Sequence, residues 1–326
     1  MDWKGPPPCA SGMTTYLIKR FIVLILTLLL VSMVIFVVMR IIPGDPAEII
    51  LGIQATPEAV AALRAQLGLD RPLTIQYIGW LSELVRGDMG QSINYGVSIA
   101  GLVVQRLAVT GPLTLMAVLF SVVISVPLGI YAATHQNRPG DYGVMVFSQV
   151  GLAVPAFWAG LLLILLFAVR LHWFASGGFP GWSRSFWGSM KSLLLPAVAL
   201  GFIRAAVLAR LTRSSLLEVL REDYIQTARS KGLAERVVIY KHAFRNAVIP
   251  VLTILGLQIG QLMAGAIIIE QVFFLPGLGR LVYLAINQRD LPVVQTVVLL
   301  IASVIVIVNF LVDLMYAFLD PRIRLD

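Results

Sequence analysis

Six long apolar runs, separated by shorter polar stretches, organise the chain. They lie near residues 16–41, 107–134, 143–169, 192–211, 247–269 and 293–318. A helix needs about 20 residues to cross a hydrocarbon core of about 30 Å, so each run reads as one membrane span. The fold class expected is an all-α integral membrane protein with six transmembrane helices. The first run passes from Lys19-Arg20 through Phe21 to Met39. It is too long for the apolar region of a signal peptide, and Arg40-Ile-Ile-Pro-Gly-Asp45 offers no small-residue cleavage site. It is therefore expected to be a retained helix. The division expected is a disordered cytoplasmic extension over 1–15, a first transmembrane helix over 16–42, an external segment over 43–106, and a five-helix core over 107–326. That core contains a charged cytoplasmic loop at 212–246. Either Met1 or Met13 can serve as the natural start.

Composition supports the membrane reading. Hydrophobic residues make up 58 % and charged residues 13 % of the chain, with a mean hydropathy of +0.87. A soluble protein needs more charge than this to cover its surface. The net charge of +8 does not point to nucleic acid, because no basic run is interleaved with stacking aromatics. Lys19, Arg20, Arg138, the cluster from Arg210 to Arg245, Arg322 and Arg324 fall on one side of the six-span arrangement, which places both termini in the cytoplasm. The other side carries Arg64, Arg71, Arg86 and Arg106, accompanied by Asp70, Glu83 and Asp88. The single cysteine, Cys9, excludes an intrachain disulfide. His135, His172 and His242 are too far apart for metal-ligand spacing, so no metal site is expected.

The most informative polar stretch is Glu222-Asp-Tyr-Ile-Gln-Thr-Ala-Arg-Ser-Lys-Gly-Leu233. Asp223 suits an N-cap, with Gln226 three places later in a near capping-box arrangement. Gly232 can close the helix in the left-handed conformation. Tyr224 to Lys231 between them would span about 12 Å, and a second helical stretch, Glu235 to Asn246, leads back towards Pro250. Such a protrusion suits docking into a groove on another protein. The same pattern also suits a surface helix that only satisfies topology.

This stretch resembles the cytoplasmic "EAA" loop of bacterial ABC-importer permeases: Glu-Ala-Ala, three residues, Gly, then nine residues to Ile-x-Leu-Pro. Gln226, Thr227 and Ala228 occupy the first three places and Gly232 the glycine. His242-Ala243-Phe244-Arg245 replaces the last four, in a form similar to the dipeptide/oligopeptide permease branch. Arg40-Ile-Ile-Pro-Gly-Asp-Pro-Ala47, Leu67-Gly-Leu-Asp-Arg-Pro-Leu73, Gly87-Asp-Met-Gly-Gln-Ser92, Glu270-Gln-Val-Phe-Phe-Leu-Pro-Gly-Leu-Gly-Arg280 and Arg289-Asp-Leu-Pro-Val-Val-Gln295 resemble further segments of that branch, in the same order. The likeness covers about 13–326 and is closest to the first-permease type, which carries a long external segment.

The resemblance implies a type I importer permease in the bacterial inner membrane. Its implied partners are a second permease, two ATP-binding cassette subunits that hold ATP and Mg, and an extracytoplasmic solute-binding protein. The implied cargo is a di- or oligopeptide, with nickel or another small solute as the alternative. Asp223, Tyr224, Gln226, Thr227, Ala228, Arg229, Lys231 and Gly232 would form the ATPase-coupling helix. In that reading the small Ala228 permits close approach, Gly232 sets the exit angle, and Arg229 and Lys231 steer docking. Pro276, Gly277 and Gly279 would form a tight turn or re-entrant bend at the external mouth, their glycines supplying unusual backbone angles.

No Gly-Lys dipeptide occurs, so the phosphate-binding loop of an ATPase is absent, as are His-Glu-x-x-His and Gly-x-Ser-x-Gly. No enzymatic activity or bound cofactor is expected of this chain. Polar residues inside spans are few. Arg204 either lines a water-filled path or snorkels towards the cytoplasmic face. Gln258 and Gln261, three apart, share a helix face and either touch substrate or bond across helices. Asp313 reads as an interfacial or helix-pair contact. No chain of acids and histidines suggests a proton relay, and no inverted repeat is visible. An ion-coupled carrier and a non-transport membrane scaffold remain the rival classes.

Overall fold

A computed structural model describes residues 10–41, 46–52, 55–66 and 68–319. Cys9 and the rest of 1–9, Pro43 to Asp45, Leu67, and Arg322 and Arg324 lie outside the described residues. Among them every regular element is a helix, apart from one isolated β-bridge, Gln91 to Ser98. In chain order the elements are α1 (Ala10–Ile41), α2 (Pro46–Leu51), α3 (Pro57–Gln66), α4 (Leu73–Val85), α5 (Ile99–Thr134), α6 (Pro139–Ala153), α7 (Ala156–Leu163, continued as a π-helix over Ile164–Arg170), α8 (Phe186–Val219), α9 (Asp223–Ser230), α10 (Glu235–Val237, continued as a π-helix over Val238–Ala243), α11 (Phe244–Val272), α12 (Leu278–Asn287) and α13 (Leu291–Leu319). Residues 10–15, assigned by sequence to the disordered extension, form the first turns of α1. The core helices outrun the apolar runs because polar turns continue beyond the bilayer at both ends.

The centre of the fold is the pairing of α5 with α8. Just before α8, Trp182 Nε1 donates to Ala108 O (2.7 Å). Farther along, a Cβ on Gly201 would lie 2.6 Å from Ala117 O, and one on Gly129 would lie 2.8 Å from Ala209 O. Sequence numbers rise together on both helices, so the two run parallel. Glycine lets the backbones approach where lipid offers no hydrophobic drive for association. Val109, Leu113, Ala117, Leu193, Ala197 and Leu200 fill the seam, and Leu262, Ile269 and Phe273 of the α11 end close it.

Parallel neighbours require the intervening chain to recross the membrane. The expected straight span over 143–169 does so, but as a broken element. α6 and α7 meet at 105°. Val154 is extended (φ −88°, ψ 119°) before Pro155, a conformation that a following proline favours. The broken element still climbs antiparallel to α8. Asp141 pairs with Arg213, Gly151 abuts Ala206, and Gly160 faces Ala199. It is thus a bent crossing and not a re-entrant loop. Pro112, Pro127, Pro196 and Pro250 lie inside helices that continue through them.

α11 runs antiparallel to α13, with Gly256 against Val312 and Gly260 against Ile305. α1 lies antiparallel to α13. Arg20 Nη1 meets Asp313 Oδ2 at 2.9 Å, and Met39 joins the cluster of Val293, Val294 and Val297 at the other end. Asp313 is therefore a helix-pair contact. α4 folds back onto α1: Tyr77 and Ser32 share a hydrogen bond of 2.8 Å, and Phe36, Tyr77 and Trp80 pack ring to ring.

Gly201→Val should strain the central seam, since its nearest obstacle is backbone. Overpacking of this kind costs about 1–3 kcal/mol. The thermal midpoint in detergent, followed by tryptophan fluorescence, should fall well below wild type. Gly143→Ala, with no neighbouring atom within 4 Å, should leave it unchanged.

Candidate functional site

The cytoplasmic site is built around α9. Its helix begins one residue earlier than the sequence suggests. Glu222 is the N-cap residue and makes no side-chain cap bond, so the expected capping box of Asp223 and Gln226 does not form; Asp223 is the first helical residue. The C-terminal expectation is met. Gly232 has φ +76°, and Gly232 N and Leu233 N bond to Arg229 O (2.9 Å) and Ala228 O (3.4 Å). A side chain here would be strained by its backbone angle.

Ile225 and Ala228 turn inward, three apart on one face. They pack with Ile130 and Ala133 of α5, Leu216 of α8, Val238 and Ala243 of the α10 π-helix, and Ala247 of α11. Ala228 is thus small to fit its own chain, and not to admit a partner as the sequence reading had it. Arg229 also looks to its own chain, holding Glu235 through two hydrogen bonds (Nη2–Oε1 2.7 Å, Nε–Oε2 3.2 Å). Tyr224 OH accepts from Asn246 Nδ2 at 2.7 Å, tying α9 to the first turn of α11. Gln226, Thr227, Ser230 and Lys231 remain exposed. The result is a braced platform with a polar outer face.

Above α9, Asp141 and Arg213 form a two-pronged ion pair (Nη2–Oδ2 2.7 Å) between α6 and α8, and Asn137 N donates to the same carboxylate at 3.0 Å. Asp141 is 3 % exposed at its side chain. Removing one partner of so buried a pair costs roughly 3–5 kcal/mol.

At the outer mouth, two fully buried acids do the positioning. Glu270, near the end of α11, accepts from Thr110 Oγ1 (2.6 Å) and from Arg280 N (3.0 Å). Leu278 N donates to Thr110 Oγ1 at 2.9 Å. A carboxylate thereby meets the orphan N–H groups and positive end of the α12 dipole. Gly277 and Gly279 are required here for space. A Cβ on Gly277 would collide with the Glu270 carboxylate, and one on Gly279 with the Ile267 backbone. Gly277 has φ −101°, so the unusual backbone angles expected of this turn are not used at that residue. Asp290, the residue before α13, accepts from Ser92 Oγ, Ile93 N (3.3 Å) and Asn94 N (3.2 Å). Asn94 Nδ2 also donates to Gln288 O (3.1 Å). Two motifs quoted from sequence, Gly87–Ser92 and Arg289–Gln295, therefore meet in space.

Inside the membrane, Arg204 Nη1 donates to Gln261 Oε1. Gln261 is exposed on α11, whereas Gln258 is buried and its Oε1 has no hydrogen-bond partner. The two glutamines thus do not act as one polar face. Sequence reasoning named neither Asp141–Arg213 nor Glu270–Thr110 as site residues. The available signal was an acid at the edge of an apolar run, where a charge is costly unless paired.

Gly277→Ala should displace Glu270 and leave α12 amides unsatisfied, at about 1–3 kcal/mol. It should lower the thermal midpoint and speed proteolysis near α12. Gly101→Ala, in open space, should not.

A family profile described as binding-protein-dependent transport system inner membrane component matches residues 125–325, and the profile of the N-terminal membrane component matches residues 13–110. The chain is 42 % identical over 332 residues to the dipeptide transport system permease protein DppB of Alkalihalophilus pseudofirmus, covering 96 % of this chain and 100 % of that one. It is 40 % identical over 333 residues to the di/tripeptide transport system permease protein DppB of Pseudomonas aeruginosa (96 % and 99 %). The glutathione transport system permease protein GsiC of Salmonella choleraesuis is 40 % identical over 312 residues (96 % and 99 %). With matches across both its N-terminal segment and its helical core, the chain belongs to the binding-protein-dependent transport permeases, as a multi-pass component of the inner membrane.

Proposed function

We propose that this chain is one of two permease subunits of an ATP-driven importer of di- or oligopeptides. Two separate ATPase subunits bind ATP and Mg and hydrolyse the nucleotide, and a solute-binding protein delivers cargo to the outer mouth. The observation that carries the coupling role is the platform itself. α9 is locked to α5, α8 and α11 by Ile225, Ala228 and the Tyr224–Asn246 bond, while its exposed side is polar. A push on α9 then reaches the spans as a rigid-body movement. The peptide cargo is supported by the relatives, which are permeases of dipeptide, di/tripeptide and glutathione transport systems.

Reconstitution of this chain with its paired permease, ATPases and binding protein should give ATP-dependent peptide uptake. Uptake by this chain alone, driven by an ion gradient, would overturn the reading.

The platform separates two kinds of variant. Thr227→Trp, on the exposed face of α9, should abolish uptake while leaving insertion and thermal stability intact. Ala228→Trp should instead reduce the yield of folded chain, because the site is filled by the chain's own core. Uptake, ATP hydrolysis and folded yield measured side by side check both.

The Tyr224–Asn246 bond is tested separately. Asn246→Ala should lower uptake several-fold while nucleotide hydrolysis by the assembled complex continues. Equal loss of both activities would show that the bond serves assembly and not transmission.

A further inference from the structure

Arg204 is a charge without a counter-charge in the middle of the membrane. Along α8 it lies about 20 Å from Lys191 at the outer end and about 14 Å from Arg213 at the cytoplasmic end. Its partner Gln261 lies about 14 Å along α11 from Glu270 and about 22 Å from Asn246, so both helices put the pair deep in the apolar zone. The six apolar runs contain one acid, Asp313, and it holds Arg20 at the cytoplasmic end. Arg204 makes no ion pair among the described residues and donates instead to the neutral Gln261. A cation at that depth is costly unless it is paired or faces water. Snorkelling does not relieve the cost. A helical side chain leans towards the N-terminus of its own helix, and the N-terminus of α8 is the outer end. Arg204 therefore leans away from the cytoplasmic interface, which is the nearer one.

The surroundings suit an anion that comes and goes. One turn outward of the pair, α8 and α11 close on each other: a Cβ on Gly265 would lie 3.0 Å from Leu200 Cδ1. Gln261 stands on an exposed stripe of α11 with Leu257, Ala264 and Ile268, and it is the one polar member of that stripe. Arg204 beside it is half-buried. A guanidinium carries five N–H donors, and Gln261 engages Nη1 alone; Nε and Nη2 make no hydrogen bond among the described residues. That edge matches a carboxylate in two-pronged geometry. It is the same edge with which Arg213 grips Asp141.

We infer that Arg204 is a way station for the C-terminal carboxylate of a peptide crossing the membrane, with Gln261 holding the guanidinium beside the exposed stripe between turnovers. The inference rests on the peptide-import reading above and adds a residue that touches cargo inside the bilayer. It also separates the cargo classes. A free peptide brings the missing negative charge at its end, whereas a bare divalent metal ion is repelled by a fixed cation, and strongly so where the dielectric is low.

The test uses the complete transporter in proteoliposomes, its solute-binding protein, and radiolabelled di- and tripeptides of alanine. Arg204→Gln should lower the maximal uptake rate about tenfold or more, while the concentration of loaded binding protein that gives half-maximal uptake stays unchanged. Arg204→Lys keeps the charge but loses the two-pronged edge and should give an intermediate rate. Gln261→Leu removes the holder and not the charge, and should stay close to wild type. ATP hydrolysis should persist in all three, which shows that they fold and assemble. A photoreactive dipeptide, alanine followed by photoleucine, gives the direct readout. Irradiated in the vanadate-trapped complex, it should label α8 or α11 beside Arg204, and Arg204→Gln should lose that adduct. Unchanged uptake and labelling in Arg204→Gln would overturn the inference and leave peptide import standing. Equal loss in Arg204→Gln and Gln261→Leu would also overturn it, making the pair a clasp between the two helices. So would loss of assembly in Arg204→Gln, which would assign the counter-charge to the second permease. No uptake of any of the peptides by wild type would overturn both readings.

Discussion

The close parallel contact between α5 and α8 dictates the path of the rest of the chain. Lipid cannot hydrogen-bond to backbone or reward apolar burial, so helices in a membrane associate through fit. Gly129 and Gly201 bring one helix against carbonyl oxygens of the other. Two spans pressed together in the same direction cannot be joined by a tight turn. The 51 residues between Thr134 and Phe186 must return across the bilayer, and they do so as α6 and α7, laid along α8 at Asp141, Gly151 and Gly160.

Polar clasps then fix the ends of this bundle and leave its middle apolar. Arg20–Asp313 and Asp141–Arg213 fasten the cytoplasmic side; Glu270 and Asp290 fasten the outer side. α11 connects the two. It begins beside the Tyr224–Asn246 bond and ends at the Glu270 clasp, as a rod of 29 residues, about 43 Å long. One element thus joins the α9 platform to the turn that carries α12. Arg204 and Gln261 meet partway along that rod, the one strong polar contact described between α8 and α11 inside the apolar zone.

Much of this was legible in the chain. Apolar runs located the spans because the bilayer sets a minimum length, and Gly232 revealed the end of α9 because few residues tolerate its backbone angle. The break at Pro155 was hidden. Prolines 112, 127, 196 and 250 sit in equally apolar surroundings and do not interrupt their helices. Only the packing of both limbs against α8 selects the extended angle at Val154. The inward facing of Ala228 was hidden for a related reason. A short helix shows which residues share a face, but its neighbours decide which face is covered. Gly277 was recognised as special, yet its need is for room beside Glu270, and that need arises from a residue seven positions earlier meeting it across a turn.

The bend between α6 and α7 bears on how the protein is made. Each limb has 15 residues, about 22 Å at helical rise, shorter than the hydrocarbon core. Neither limb alone is long enough to stay across the bilayer as it leaves the ribosome and the insertion machinery. Arg213, the counter-charge that lets Asp141 settle, is synthesised 72 residues after it. In the folded chain the third crossing therefore leans on a helix that follows it in sequence, through Asp141 and Arg213.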